Sequence, residues 1–356
     1  MSIAAKRVIA VVIAFAIIGA AFGIRTVVDG GSDSSGGGGG GSSGRALSLL
    51  CSGELGVCDA LAQGDLNIDV TVAPAGTSAG ELAAGDLRSL GYDGWLTFGR
   101  EAEIARDARD RAGLPRTLGR PTAPIARSPL VLAVWKDRGD VLASRCAGTL
   151  DWRCIGDVAG ASWAAIGGQS AWGTVKPGHA DPAVDGDGLL VIGQAASQFF
   201  GRSNLSRDDY TDDAFLDWFG RLERSIRFDP GSAFERMLVG GPAIYDVVGT
   251  TEAEAAPLLA DASADRRAQL RLLYPSPVAS ADVVYVPIAG APGAGDLGDI
   301  LTGDDGRAAL ARAGWRVDGE PRAKGVPTKP ALPARANLPS AGSLEALLET
   351  WREVTG

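Results

Sequence analysis

Residues 129–135 read Pro129-Leu130-Val131-Leu132-Ala133-Val134-Trp135, an uncharged apolar run that stops at Lys136-Asp137-Arg138. A run this short and this continuously apolar suits a strand covered on both faces, because a strand with one wet face alternates with period two. Toward the N-terminus the same theme recurs. Ala46–Leu50 and Gly94–Phe98 (GWLTF) are short apolar runs, and Asn67–Ala73 (NIDVTVA) alternates and is rich in β-branched residues. An amphipathic segment from Ser52 through Ala62 and a charged stretch, Arg100–Ala112, separate these strands as helices. Strands alternating with helices predict an α/β domain with a mostly parallel sheet.

Toward the C-terminus the pattern restarts. It predicts a short helix over Asp151–Val158, a strand over Trp172–Val175, a loop over Pro177–Asp187 and a helix over Gly188–Phe200. Tyr210–Ile226 is strongly amphipathic, with Phe215, Trp218, Phe219 and Leu222 on one side. Ala243–Val248 reads as a strand, and Thr250 as the start of a helix with Glu252 and Glu254 in its first turn. Leu270–Leu273 and Val283–Pro287 read as strands. Asp304–Ala313 is a helix ended by Gly314, and Ser343–Val354 is a last helix capped by Ser343. Pro321–Pro339 is irregular, and no internal repeat of fixed period is present.

The N-terminal end indicates the compartment. Val8–Ile24 carries no charge and follows Lys6 and Arg7 directly. Seventeen helical residues span roughly 25 Å, the short end of what crosses a bilayer. A signal-peptide core is usually shorter, about 7–15 residues. Gly19-Ala20-Ala21 offers small residues at suitable spacing, so a cleaved, secreted form stays open. Lys6 and Arg7 keep the start of the chain cytoplasmic by the positive-inside rule, which places everything after Arg25 outside. Residues 1–25 are therefore expected to be a single-pass anchor. Residues 26–45, dominated by Asp29–Gly44 (DGGSDSSGGGGGGSSG), are expected to be a flexible Gly/Ser linker.

The bulk properties agree with an extracytoplasmic protein of about two domains. The chain has 356 residues, 46% hydrophobic and 22% charged, with a formal charge of −9. Removing Lys6, Arg7 and Arg25, which flank the anchor, leaves −12. So acidic a body repels phosphate backbones and anionic head groups, which excludes nucleic acid as a partner. The four cysteines fall into local pairs, Cys51 with Cys58 and Cys146 with Cys154. Three connectivities are open in principle, and short spacing in an oxidising compartment favours the local ones. Zinc is a weak alternative, because neither pair is C-x-x-C and His179 is the only histidine. No cofactor or metal is expected.

The order of motifs from Ala46 to Trp315 resembles the type II periplasmic solute-binding proteins, especially the membrane-anchored forms of actinobacteria. The stretches that carry the resemblance are a first strand running into Ser52-Gly53-Glu54, the strand end Gly94-Trp95-Leu96-Thr97, and Ala126-Arg127-Ser128-Pro129 before PLVLAVW. They continue with Lys176-Pro177-Gly178-His179-Ala180-Asp181-Pro182 leading through Gly186 and Gly188 into a helix, and with Tyr245 before a Thr/Glu-rich helix. Last come Leu272-Leu273-Tyr274-Pro275 and Val283-Val284-Tyr285-Val286-Pro287. The resemblance implies two α/β lobes joined by crossing strands: lobe I from residues 46–128 plus 278–356, and lobe II from residues 129–277. It also implies a small molecule or ion held between them, and delivery to a membrane transporter of the ABC type.

Candidate ligand contacts follow from that architecture, since ligands of open α/β sheets sit beyond the strand ends where helix N-termini present free N–H groups. Such N–H groups suit an anion. Ser52 follows the first strand, and it is equally well read as a helix N-cap. Thr97 ends a strand and Ser128 stands at the lobe crossing, each as a hydroxyl donor. Gly186, Asp187 and Gly188 allow close backbone approach at a helix start, and Tyr245 is read more readily as core than as a contact. Asp185 and Asp187 would repel a simple oxyanion and would suit an amine, a metal or a capping role. A calcium loop does not fit, because position 196 is Ala where an EF-hand closes with Glu. His179 reads as an exposed loop residue. It belongs to no nucleophilic triad, and no G-x-S-x-G occurs, so an enzyme is not expected. Two rivals stay open: an envelope interaction module on the same fold without a small ligand, and an extracytoplasmic hydrolase using a carboxylate pair.

Overall fold

The computed structural model describes residues 45–356 apart from 147 and 149. The proposed anchor and all but the last residue of the linker lie outside the described residues. Among those described, no helix is long and apolar enough to cross a membrane.

Eight strands make up the sheet: β1 (Leu47–Ser52), β2 (Ile68–Ala73), β3 (Gly94–Phe98), β4 (Ala126–Trp135), β5 (Pro177–Gly178), β6 (Val247–Thr251), β7 (Leu270–Leu273) and β8 (Ser280–Pro287). Their order is β2-β1-β3-β8-β4-β6-β5, with β7 also paired to β4. β4 contains the apolar run PLVLAVW and is the pivot. Its first residues, Ala126–Pro129, pair with Ser280–Val283 of β8, and the rest, Leu130–Trp135, pair with β6 and β7. Leu130 through Val134 are wholly buried, as a strand covered on both faces must be. One half-sheet thus holds β2, β1, β3 and β8, the other holds β5, β6 and β7, and β4 belongs to both.

The expectation of a mostly parallel sheet needs correction. Parallel pairing is confined to β1 with β2, β1 with β3, and β5 with β6. β3 with β8 and all three partners of β4 are antiparallel, so the sheet is mixed. Helical crossovers enforce parallel neighbours near the N-terminus, whereas the long strands that link the halves run against theirs.

Most other elements agree with the sequence within a few residues. Trp172–Val175 is not a strand: Ser170–Trp172 is a 3-10 turn, and the adjoining pairing is two residues long, at β5. β6 lies later than the Ala243–Val248 run, which a 3-10 turn at Gly241–Ala243 opens, and Thr251 rather than Thr250 caps the Glu252–Asp261 helix. The last helix is Ala341–Thr355, capped by Ser340, while the Ser343 hydroxyl bonds the Tyr210 hydroxyl at 2.7 Å. Helices at Ala75–Ala84, Lys136–Arg145, Ala233–Gly240 and Ala294–Thr302 have no counterpart among the elements expected from the sequence.

Both local cysteine pairs are joined as disulfides, Cys51 to Cys58 and Cys146 to Cys154. Under the second half-sheet, Phe199, Phe200, Phe215, Trp218 and Phe219 form an aromatic cluster along the Asp213–Arg224 helix. Two ion pairs, one buried and one half-buried, fasten the crossing. Arg316 binds both oxygens of Glu252, at 2.7 and 2.6 Å, and the Tyr274 hydroxyl donates to the same carboxylate at 2.6 Å. Arg127 of β4 binds Asp282 of β8 at 2.7 Å. The last helix packs on the Gly99–Arg111 helix and on the Gly186–Phe200 and Asp213–Arg224 helices, and so touches elements of both halves.

Candidate functional site

The chain leaves β1 through a tight 3-10 turn, Gly53–Leu55, ended by Gly56 in the left-handed region at φ 66°. The Cys51–Cys58 disulfide spans this turn, and the indole N–H of buried Trp315 donates to the Leu55 carbonyl at 2.8 Å. So held, the turn presents Glu54 to two helix N-termini at once. Its carboxylate accepts the N–H of Ala75, first residue of the Ala75–Ala84 helix, at 2.9 Å, and the N–H of Gly186, first residue of the Gly186–Phe200 helix, at 2.9 Å. The first helix belongs to the first half and the second to the other half. Beside this bridge the Gly76 N–H donates to the Val184 carbonyl at 2.9 Å. Gly186 permits the approach, since a Cβ there would lie 2.5 Å from the Phe98 ring and 2.9 Å from the Ala75 Cβ.

A cleft of about 580 Å³ opens next to the bridge. Residues 53–56, 72–74 and 312–313 line it from one side, and residues 180, 185, 187, 231, 232, 235, 253, 254, 257 and 258 line it from the other. Its apolar wall includes Leu55, Val72, Pro74, Ala180, Pro257 and Leu258, with no tryptophan. The charged lining is lopsided: Glu54, Asp185, Asp187, Glu235 and Glu254 stand against Arg312. Ser232 and Thr251 cap the helices that begin there, accepting the N–H groups of Glu235 and Glu254 at 3.0 and 3.2 Å.

Burial and mutual repulsion make Glu54, Asp185, Asp187 and Glu254 hard to ionise. Burial first, then the charges of Glu54, Asp181 and Glu254, push Asp185 up to about 7. Asp187 is raised well above its usual range by burial and by Glu254, Glu54 and Asp185. Glu54 and Glu254 are also raised by burial, against the N–H and hydroxyl groups they accept. Close behind, buried Glu101 in the first turn of the Gly99–Arg111 helix is pushed up to about 8 by burial and the Glu54 charge.

Of the seven residues expected at the ligand, Asp187 lines the cleft. Ser52 and Thr97 are fully buried behind it, the Ser52 hydroxyl donating to the Thr97 hydroxyl at 2.9 Å. Ser128 is equally buried, donates to the Pro129 carbonyl and accepts the Ala253 N–H at 2.9 Å. These hydroxyls hold strand ends and a helix start instead of facing an open, wet cleft. Gly186 and Gly188 serve close packing, a Cβ on Gly188 coming within 2.3 Å of the Ala180 carbonyl oxygen. Tyr245 is core, its hydroxyl donating to the Arg227 carbonyl at 2.7 Å. His179 is not an exposed loop residue. It is buried, Nδ1 lying 2.7 Å from the Ala180 carbonyl and Nε2 3.2 Å from Glu223, which also accepts the Trp351 indole N–H. Burial disfavours the charged ring, but Glu223 and the carbonyl outweigh it and hold the pKa above the usual histidine value. Glu54 lines the cleft, and in the sequence it marks only a turn. No local signal tells which distant helix starts a loop carboxylate will meet.

No protein-family model and no curated protein matches the chain. Solved structures do. The periplasmic binding protein AfuA from Actinobacillus pleuropneumoniae, with fructose-6-phosphate bound, aligns with a TM-score of 0.57 at 14% identity, over 88% of this chain and 98% of its own. The fold is that of the type II periplasmic solute-binding proteins. A periplasmic thiamin binding protein aligns at 0.55 and 12% identity, over 87% of this chain and 96% of its own. Iron-bound HitA from Pseudomonas aeruginosa aligns at 0.53 and 18%, over 86% and 98%. The ligands named for those three proteins differ widely, so the shared fold leaves ligand chemistry to the residues of the cleft.

Proposed function

We propose that this protein is an extracytoplasmic solute-binding protein, a binding protein and not an enzyme, which captures a small ligand and passes it to an ABC-type uptake system. The single observation that carries this reading is the cleft of about 580 Å³ walled by both halves of a type II solute-binding fold. Ligand pockets of such size and mixed lining are the usual sites of small-molecule capture. In this reading residues 46–128 with 278–356 form lobe I and residues 129–277 form lobe II. β4 and β8 are the crossing strands, and the segment Val8–Ile24 with its Gly/Ser linker tethers the pair to the outer side of the membrane. An interaction module without a small ligand would be favoured by a cleft plugged with tryptophan or a Pro-rich segment, and neither a tryptophan nor any residue of 321–339 lines this one.

The test is a thermal-shift screen of the purified protein against a broad metabolite panel, followed by solution scattering. A bound solute raises the melting temperature by mass action. Hinge closure about the crossing strands then shrinks the radius of gyration at unchanged secondary structure. A panel with no stabilising member contradicts the reading.

A further inference from the structure

We propose that the cleft takes an organic cation, an ammonium- or amidinium-bearing solute with an apolar body, and that Glu54 occupies the position an anionic ligand would need. The inference rests on the solute-binding reading and names the ligand class of that same site. Helix N-termini are where this architecture offers N–H groups to an anion. Here the chain fills two of them with its own carboxylate, as Glu54 accepts from Ala75 at 2.9 Å and from Gly186 at 2.9 Å. Asp187, the next residue of the second helix, adds a further carboxyl beside those donors. An incoming sulfate or phosphate would have to displace Glu54 and approach Asp185, Asp187 and Glu254.

A second observation points the same way. Asp187 is only 8% exposed and lines the cleft, yet its one hydrogen bond is from the N–H of its own neighbour, Gly188, to Oδ1. The charges that weigh most on it are all carboxylates. A buried carboxylate without a counter-charge either holds a proton or awaits a cation, since burial alone penalises its charged form. The groups that face it are Glu254 from the Glu252–Asp261 helix, Glu54 from the turn after β1, and Asp185 on its own segment. Arg236, near Asp185 and Glu254, is engaged by the Pro230 and Gly231 carbonyls and the Tyr245 hydroxyl. The apolar wall of Leu55, Val72, Pro257 and Leu258 suits the body of an organic molecule. Among the described residues no three His, Cys, Asp or Glu side chains are gathered as a metal ion requires, so the charge sought is one carried on a larger solute.

The experiment is isothermal titration of the purified protein with agmatine, choline and thiamine as cationic probes, and with sulfate, inorganic phosphate and citrate as anionic ones. A neutral hexose panel is run beside them. A cation should bind with release of protons, because it ionises carboxyls that are protonated in the free cleft, and its affinity should rise between pH 6 and pH 8. Asp187→Asn should weaken it by about ten- to hundredfold, the loss expected for one charge-assisted bond, with the melting temperature of the free protein preserved or raised, because the amide replaces a carboxyl that burial disfavours ionising. Glu54→Ala should free two helix N-termini and let sulfate bind where the parent protein does not. Binding of an anion or a hexose by the parent, with no cation bound, overturns the cation assignment and leaves the solute-binding reading standing. Binding of nothing in these panels or in the metabolite screen overturns both.

Discussion

Stability should fall as pH rises from about 5 to 8.5, and Glu101→Gln should remove much of that fall. Glu101 is 2% exposed, and burial and the Glu54 charge push it from 4.5 up to about 8. Between those two values the folded protein keeps a proton that the unfolded chain has lost. A raised carboxyl therefore favours folding less with every step of pH in that window. At roughly 1.4 kcal/mol per unit the span has a ceiling of about 4–5 kcal/mol, and relaxation around the ionised group reduces this to about 2–4 kcal/mol. Asp185, raised to about 7, acts with the same sign. So does His179, whose raised pKa gives stability that is present at low pH and lost as the ring deprotonates. Glutamine copies the protonated acid in size, so Glu101→Gln should be near neutral at pH 5 and stabilising by about 2–4 kcal/mol at pH 8.5. Urea unfolding at pH 5, 7 and 8.5 reads this directly. An equal effect of the substitution at all three pH values would refute the assignment of a buried, protonated Glu101.

Three further outcomes are expected. Arg316→Ala should cost about 3–5 kcal/mol in denaturant unfolding, because it strands the buried Glu252 carboxylate; a cost below about 1 kcal/mol would mean that the pair is not buried in solution. Ser128→Ala should destabilise the free protein by about 1–3 kcal/mol through the unsatisfied Ala253 N–H, and an unchanged melting curve with weakened ligand binding would return Ser128 to the cleft. A reporter fused after Gly44 should be active outside the cytoplasm, and cytoplasmic activity would refute the orientation read from Lys6 and Arg7.

The fold was legible in the sequence where a segment's own pattern decides its state. PLVLAVW announces a doubly covered strand, the Phe215-Trp218-Phe219-Leu222 stripe a buried helix face, and the short cysteine spacing its own pairing. Ala75–Ala84 was missed because small residues and Gly76 and Gly80 blur helical periodicity. The mixed sheet is not legible in the sequence, because strand direction is set by connections between distant elements rather than by the strand's residues. The candidate site was harder still. Strand-end hydroxyls at Ser52, Thr97 and Ser128 look the same in sequence whether they face a ligand or each other. Asp187 could be named, since a carboxylate at a glycine-flanked helix start is conspicuous. Glu54 could not, because its meaning depends on two helix starts 21 and 132 residues away.

The central claim, a solute held between the two lobes against Asp187 and Glu254, is tested most directly by a crystal structure of the protein soaked with the tightest-binding cation. The account predicts density for that molecule within the cleft, its positive group within hydrogen-bonding distance of Asp187 and its body on Leu55, Pro257 and Leu258. Density for the bound molecule elsewhere on the protein, with the cleft holding only solvent, would contradict it.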